Sequence, residues 1–290
     1  MSQGPAIFDR RLLRVRQARA RALDPETFLI DRVADELGER LSVVLRQFER
    51  AADLGTPTDA LCRVLAASGK VATIMGANSV AADEEALPFA DGSLDLVVSA
   101  LSLQFVNDLP GTLIQIRRAL KRDGLLLAAL IGGDTLTELR EAFAAAESEI
   151  EGGVSPRVAP FADVRELGAL LQRAGFALPV VDSDRLTVRY PTVHALMKDL
   201  RRMGATNILS ERRRVPLRRA TLQRMTEIYA ARFADGDGRL RATFEIAWLS
   251  GWAPHDSQQK PLKPGSATQR LADALGAKEI SAGEKPGETK

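Results

Sequence analysis

The chain has 290 residues, of which 45% are hydrophobic and 27% are charged, and its formal net charge is +2. This composition is typical of a soluble globular protein with a buried core, and the balanced charge gives no indication of a nucleic-acid partner. Cys62 is the single cysteine, which excludes an intrachain disulfide and a cysteine metal cluster and fits a reducing compartment. No run of about 18 apolar residues predicts a membrane span.

The N-terminal segment is rich in arginine and is predicted to be helical. It lacks the apolar core of a secretory signal. An arginine-rich start is typical either of a transit peptide or of a solvated helix face, and Asp9 with the acids from Asp24 onward favours the helix face. Helices are predicted over 8–22 and 25–47, the second with Asp24 as N-cap and Pro25 as its first residue. We therefore expect the protein to lie in the cytoplasm, either free or attached peripherally to the inner membrane.

The rest of the chain alternates predicted strands and helices. The runs 94–103 and 124–131 are almost continuously apolar, as in parallel strands that are covered by helices on both faces. This alternation predicts right-handed βαβ units and a doubly wound α/β sheet. The predicted strands are 49–54, 71–75, 94–103, 124–131, 178–190 and 242–252. Helices are predicted at 58–68, 135–150, 161–174, 192–203 and 216–233 and within 110–124.

The first candidate motif is the loop after the first predicted strand, where a doubly wound sheet binds its ligand. Residues 53–59 read DLGTPTD. Gly55 allows the backbone to pass close to a ligand. Pro57 fixes φ and lacks an N–H, and Asp59 adds charge or caps the next helix. Taken alone, the loop is also compatible with an ordinary strand-to-helix turn.

The second candidate motif is DEEALPFADGSLDLV over 83–97. The carboxylate of Asp83 is suited to accept a hydrogen bond from an exocyclic amine, with a solvated loop acid as the alternative. No acid ends the second predicted strand, 71–75, and Asn78 is the nearest polar residue. An asparagine can replace an acid as a hydrogen-bonding group.

These two motifs resemble those of the class I S-adenosylmethionine-dependent methyltransferases, D-L-G-x-G-x-G and D-x-x-x-L-P-F-x-D-x-S-F-D-x-V, over about 50–131. The resemblance implies a Rossmann-like, mostly parallel seven-stranded α/β sheet with added helices at the N-terminus and after the core. It implies S-adenosylmethionine as cofactor, no metal, and Asp83 as acceptor from the adenine amine. Pro57 and Asp59 replace two glycines of the motif, which weakens the cofactor loop. The implied cofactor-binding residues are Asp53, Gly55, Thr56, Asn78, Asp83, Glu84, Ser99 and Leu101.

Three later segments, 155–191, 196–207 and 250–267, are similar to a narrower group. This group comprises bacterial relatives of a mitochondrial complex I assembly factor that has a methyltransferase fold and hydroxylates an arginine. The malonyl-carrier methyltransferase of biotin synthesis is a broader relative. The resemblance implies a protein substrate or assembly partner. The corresponding domain prediction is an N-terminal helical segment (1–47), a methyltransferase-like domain (48–252, helical insertion about 191–235) and a Pro/Lys-rich tail (253–290).

Three functions are compatible with the sequence. One is methyl transfer to a protein substrate, the second is arginine hydroxylation, and the third is non-catalytic binding of a partner. The arginines between 201 and 224 suit either an acidic partner or a solvated helix face. Trp248, Trp252, His255 and Asp256 could line a substrate mouth, or the tryptophans could anchor the tail on the core. The scarcity of aromatic residues disfavours single-stranded nucleic acid as a partner.

Overall fold

The computed structural model describes residues 6–75, 83–259 and 276. The chain divides into two compact units, Met1–His255 and Asp256–Lys290. All helices and strands named below lie in the first unit, and the second contributes residues 256–259 and 276 to the described part of the chain.

Helices and strands alternate through the first unit in nearly the predicted places. The helices are α1 (Arg10–Ala22), α2 (Phe28–Ser42), α3 (Ala60–Ala67), α4 (Leu109–Ala119), α5 (Thr137–Glu151), α6 (Val164–Arg173), α7 (Val193–Arg202) and α8 (Arg219–Phe233). A short 3₁₀ helix spans Leu103–Phe105. The strands are β1 (Phe48–Asp53), β2 (Val71–Met75), β3 (Leu94–Ala100), β4 (Leu120–Ile131), β5 (Ala177–Tyr190) and β6 (Leu240–Trp252).

The strands form one sheet in the order β2-β1-β3-β4-β6-β5. Strands β2, β1, β3 and β4 are parallel, and β6 pairs antiparallel with both β4 and β5. This is the predicted Rossmann-like architecture, with a switch point between β1 and β3. The described residues contain six strands, where the resemblance implied seven; of the stretch between β2 and β3, the described residues 83–93 form turns and one isolated bridge.

Helices cover both faces of the sheet, so its central strands are buried on both sides. Every residue of β3 is buried. From Leu96 onward its side chains alternate between the two faces, because successive residues of a strand point in opposite directions, and a register shift between Leu94 and Leu96 interrupts the alternation before that. Leu96 and Val98 pack in the core beneath α2, α3, α5, α7 and α8. Leu94 and Val97 pack in the core beneath α4 and α6. The apolar runs at 94–103 and 124–131 were therefore correctly interpreted as doubly covered strands.

Three of the helices begin at aspartates whose side chains accept a backbone N–H: Asp9, Asp108 and Asp163. The prediction for the second helix was wrong at its start. Asp24 has a left-handed φ of +61° and does not cap a helix, while α2 begins three residues after Pro25, at Phe28. The Asp24 carboxylate instead accepts from the Arg202 guanidinium at 2.7 Å.

Candidate functional site

The candidate site lies at the carboxyl ends of β1 and β3, on either side of the switch point. Asp53 ends β1 and is 4% exposed. Thr56 Oγ1 donates to Asp53 Oδ1 at 2.5 Å and accepts from the Ala100 N–H at 3.1 Å. Because Thr56 bonds to both strand ends, the loop is held across the switch point.

Ser99 strengthens the same connection, since its hydroxyl donates to the Leu54 carbonyl at 2.7 Å. Ser99 and Thr56 are both buried, at 0% and 2% exposed. In the structure these two residues use their hydroxyls to fix the loop. Their contact with a cofactor stays a prediction.

The Asp53 carboxyl is a buried titratable group. Burial raises its pKa from 3.8 to about 6, against the lowering effect of hydrogen bonds from Thr56 and Cys62. Cys62 Sγ lies 3.4 Å from Asp53 Oδ2, and burial and the neighbouring carboxylate raise the thiol pKa to about 12. Cys62 is therefore a thiol at neutral pH, and thiols are weak nucleophiles.

Gly55 lies against two polar side chains. Its φ of +70° belongs to the left-handed region, which glycine adopts without steric cost. A Cβ at this position would lie 2.2 Å from both Glu84 Oε1 and Ser102 Oγ. Ser102 Oγ donates to Glu84 Oε1 at 3.0 Å. The structure thus brings together Gly55 and Glu84, two of the predicted cofactor residues.

The acids 83–85 are held by the N-terminal helix. The Arg10 guanidinium bonds to Asp83 and to Glu84 and lies 3.2 Å from a Glu85 oxygen. Its side chain is 13% exposed. Arg14 reaches Asp83 at 3.3 Å. Partial burial raises the pKa of Asp83, but the Glu85 N–H and the Arg10 charge outweigh this effect and lower it.

A cavity of about 320 Å³ opens at the carboxyl edge of the sheet. It begins at loop residues Pro57 and Thr58 and at the ends of β3 and β4, where Leu101 and Ile131 line it. Its volume lies in the range of small-ligand sites. Of the eight predicted cofactor residues, Leu101 lines this cavity and Asn78 lies outside the described residues. The other six are not part of the cavity wall.

Leu101 turns the chain from β3 into the cavity wall. Its φ of +53° is unusual for a residue with a side chain and costs free energy. The conformation is held by its N–H, which donates to the Ala129 carbonyl at 2.8 Å, and by its carbonyl, which accepts from Gln104 Nε2 at 2.8 Å. Such strain is concentrated at functional sites. The sequence carried no signal for this strain.

The cavity wall is mainly apolar and contains a few polar groups. Gln104 Oε1 and Thr206 Oγ1 are buried and have no hydrogen-bond partner among the described residues. The Arg157 guanidinium lies over the Phe143 ring at 5.3 Å and bonds to Glu147, which is 0% exposed. Phenyl rings lie along the wall at Phe105, Phe143, Phe161 and Phe244.

Trp248 does not line the cavity. It is 4% exposed, its Nε1 donates to Asp184 at 3.0 Å, and the Arg40 guanidinium lies 4.7 Å from its ring centroid. These contacts place Trp248 within the fold and away from the cavity, and the anchoring of the tail by the tryptophans stays a prediction.

The arginines between 201 and 224 are largely used within the fold. Arg202 pairs with Glu26 at 3.0 Å and Arg212 with Asp9 at 3.3 Å. Further ion pairs join Arg213 and Arg218 to Glu151, and Arg224 to Glu149. These arginines therefore join α7 to the segment between α1 and α2, the segment before α8 to the start of α1 and to α5, and α8 to α5, a role that neither alternative from the sequence included.

Within the residues that the structure describes, no three histidine, cysteine or acidic side chains are grouped so that they could hold a metal ion. Over the same residues, no helix combines the length and the apolarity that crossing a membrane requires.

The sheet order and the glycine loop after β1 define a protein of the class I methyltransferase fold. Residues 46–128 match the family described as "Methyltransferase domain". The crystal structure of the YcgJ protein of Bacillus subtilis has a TM-score of 0.50 at 15% identity, covering 76% of this chain and 99% of that one. This likeness shows the fold alone.

Relatives in sequence show to which family within this class the chain belongs. "Arginine-hydroxylase NDUFAF5, mitochondrial" of Rattus norvegicus is 39% identical over 287 residues, which are 92% of this chain and 83% of the relative. Malonyl-(acyl-carrier protein) O-methyltransferase of Laribacter hongkongensis is 41% identical over 186 residues, 64% of this chain and 60% of that protein. The chain belongs to the family of the mitochondrial arginine-hydroxylase NDUFAF5.

Proposed function

We propose that the chain binds S-adenosylmethionine beside the Gly55 loop and modifies a side chain of a protein partner, with methyl transfer as its reaction. The observation that supports the proposal is that the loop after β1 forms part of the cavity wall. Pro57 and Thr58 continue directly from Gly55 into the cavity wall, so a ligand at the loop would face a group that enters the cavity.

The residues at the loop fit such a cofactor. Gly55 has no side chain and a left-handed backbone, which lets the polar groups of Glu84 and Ser102 approach the chain closely. Glu84 lies against Gly55, and Glu84 and its neighbour in sequence Asp83 carry acceptor oxygens suited to amine and hydroxyl groups. When bound, the sulfonium of S-adenosylmethionine supplies the methyl group.

The chain's own residues would contribute mainly position. Thr56 and Ser99 fix the loop to the strand ends, and a group held against a rigid loop reacts faster because less freedom remains to be lost. The apolar cavity wall excludes water from the acceptor group, which strengthens polar interactions inside.

Arginine hydroxylation is the second candidate function. It is favoured by the family of the chain, since the arginine-hydroxylase of Rattus norvegicus is 39% identical over 92% of this chain. In this candidate the partner is a protein that presents an arginine, and assembly of a respiratory complex is its biological setting.

The two candidates are separated by the mass of the product. The full chain is incubated with a bacterial extract and S-adenosylmethionine that carries an isotope in its methyl group. Methyl transfer predicts labelled protein whose modified peptide gains the mass of one methylene group. A gain of one oxygen atom on an arginine, without label, would contradict methyl transfer and support hydroxylation.

A variant connects the reaction to the loop. Pro57→Gly combined with Asp59→Gly restores the glycine pattern of the family motif, so we expect tighter S-adenosylmethionine binding. Unchanged affinity in a folded variant would show that Pro57 and Asp59, in place of the motif's glycines, do not weaken cofactor binding by this loop.

A further inference from the structure

One carboxylate lies in the wall of the cavity. Among the described residues that line it, Glu26 is the single acidic side chain. Glu26 belongs to the segment between α1 and α2, and its N–H donates to the Arg202 carbonyl at 3.4 Å, so the end of α7 fixes its backbone. Its side chain is 25% exposed, and a hydrogen bond to a charged group is stronger where little water competes. Glu26 is therefore the wall residue best placed to select the charge of an entering group.

The Glu26 carboxylate uses one of its two oxygens within the fold. Arg202 Nη1 donates to Oε2 at 3.0 Å, and no ion pair or hydrogen bond within the described part of the chain involves Oε1. Arg202 also bonds to Asp24 at 2.7 Å and lies 3.9 Å from Asp199. One positive charge is thus shared by three carboxylates. Because none of the three has another ion-pair partner among the described residues, negative charge is in excess here.

This excess charge acts on a neighbouring hydroxyl. Burial and the negative charges of Asp199 and Glu26 raise the pKa of Tyr190 above its usual range, which is the direction expected where negative charge is not compensated. A cation bound to Glu26 would reduce the repulsion among the carboxylates.

The other arginines of the wall do not oppose a second cation. Arg157 is neutralised by Glu147, which is 0% exposed, and Arg21 is an exposed residue. The Arg157 guanidinium lies 5.3 Å from the centroid of the Phe143 ring. The wall thus already holds one guanidinium against a phenyl ring, a contact that favours this planar, weakly hydrated cation over an ammonium.

A further acceptor lies in the same wall. Thr206 Oγ1 is buried and has no hydrogen-bond partner among the described residues. A hydroxyl oxygen can accept hydrogen bonds, and a guanidinium carries several N–H donors and no acceptor. A ligand rich in donors therefore suits this part of the wall as well as Glu26.

We propose that Glu26 determines the specificity of the cavity, and that its Oε1 accepts from the guanidinium of an arginine side chain presented by the protein partner. The methylene groups of that arginine lie along the apolar wall. Glu26 binds and orients the side chain and takes no part in making or breaking bonds. The inference rests on the proposed function in taking the cavity as the place where the partner's side chain is modified.

Three capped tripeptides test the proposal by NMR titration of the full chain without S-adenosylmethionine: leucine–arginine–leucine, leucine–citrulline–leucine and leucine–lysine–leucine. The ureido group of citrulline has the shape of a guanidinium and no charge. We expect the arginine peptide to bind about ten- to a hundredfold more tightly than the citrulline peptide, as one charge-assisted hydrogen bond predicts. The lysine peptide should bind with intermediate affinity, since an ammonium is more strongly hydrated.

Glu26→Gln removes the charge and keeps the shape of the side chain, so it should reduce the preference for arginine to almost none and leave the citrulline affinity unchanged. The matched control is Asp24→Asn. Asp24 bonds to the same Arg202, its side chain is 88% exposed, and it is not part of the cavity wall. Asparagine also tolerates the left-handed φ of this position. Asp24→Asn should therefore keep the preference for arginine.

If Glu26→Gln does not fold, Glu26→Asp is the second variant, with a partial loss of the preference expected because the carboxylate is drawn back. The proposal is overturned if no peptide binds, if arginine and citrulline bind equally, or if lysine binds as tightly as arginine. An equal loss in Asp24→Asn would also overturn it, since Glu26 would then act only by holding Arg202.

These titrations separate the inference from the proposed function, because they contain no cofactor. A chain that binds S-adenosylmethionine but does not distinguish arginine from citrulline overturns the role of Glu26 alone. A chain that prefers arginine and does not bind S-adenosylmethionine supports the role of Glu26 and contradicts the proposed function.

Discussion

The Asp53 carboxyl makes the stability of the fold depend on pH in an unusual direction. Its pKa rises from 3.8 to about 6 on folding because burial disfavours the charged form. Between these two values the folded state holds more protons than the unfolded state, so this group's contribution to stability falls as pH rises. The contribution is fully present below pH 3.8 and is lost by about pH 6 and above.

The substitution Asp53→Asn tests this argument, because asparagine keeps the shape and cannot ionise. A difference of about two pKa units corresponds to ~3 kcal/mol. We therefore expect the variant's stability relative to the original chain to increase by up to ~3 kcal/mol between acidic and neutral pH. Urea unfolding of both proteins, measured at several pH values, gives this difference directly.

The matched control is Asp59→Asn on the same loop, since the Asp59 side chain is 63% exposed and its replacement removes no buried charge. A stability difference between Asp53→Asn and the original chain that stays constant with pH would refute the reasoning. It would mean that the Asp53 carboxyl is hydrated or paired in solution.

Three further substitutions test other parts of the site. Gly55→Ala should lower the unfolding free energy by about 1–2 kcal/mol, because alanine is strained at φ +70°, whereas Gly153→Ala, with nothing within 4 Å, should change it little in the same urea titration. Arg10→Met should cost about 2–3 kcal/mol, since it leaves Glu84 and Glu85 without their cation and Asp83 with Arg14 alone, and equal loss in Arg11→Met would argue against a specific role. Asp83→Ala should weaken S-adenosylmethionine binding by about 1–3 kcal/mol in calorimetry, and unchanged affinity in a folded variant would remove Asp83 from the site.

Much of the fold could be predicted because its signals are local. The apolar runs that became β3 and β4 have the composition of doubly covered strands, and Gly69 follows α3 closely, with a left-handed φ of +64°. The start of α2 was mispredicted because Asp24 and Pro25 have the composition of a helix start, while the ion pair from Asp24 to Arg202 depends on tertiary structure.

The site could be predicted only in part, because its chemistry depends on distant residues. The loop after β1 and the acids at 83–85 are recognisable as motifs. Nothing in the arginine-rich start distinguishes Arg10, which meets those acids, from Arg11, which is exposed. The cavity is likewise lined by residues of α1, α2, α5, α7 and the segments between them. No local sequence pattern predicts that these distant helices pack around one cavity.

The central claim is that the Gly55 loop and the acids beside it bind S-adenosylmethionine. Calorimetric titration of the full chain with S-adenosylmethionine and with S-adenosylhomocysteine, repeated for Gly55→Ala and Gly153→Ala, tests it most directly. Micromolar binding that is lost in Gly55→Ala and kept in Gly153→Ala is the predicted result. Absence of binding to the original chain at millimolar ligand would contradict the account and leave a methyltransferase fold that serves a partner without this cofactor.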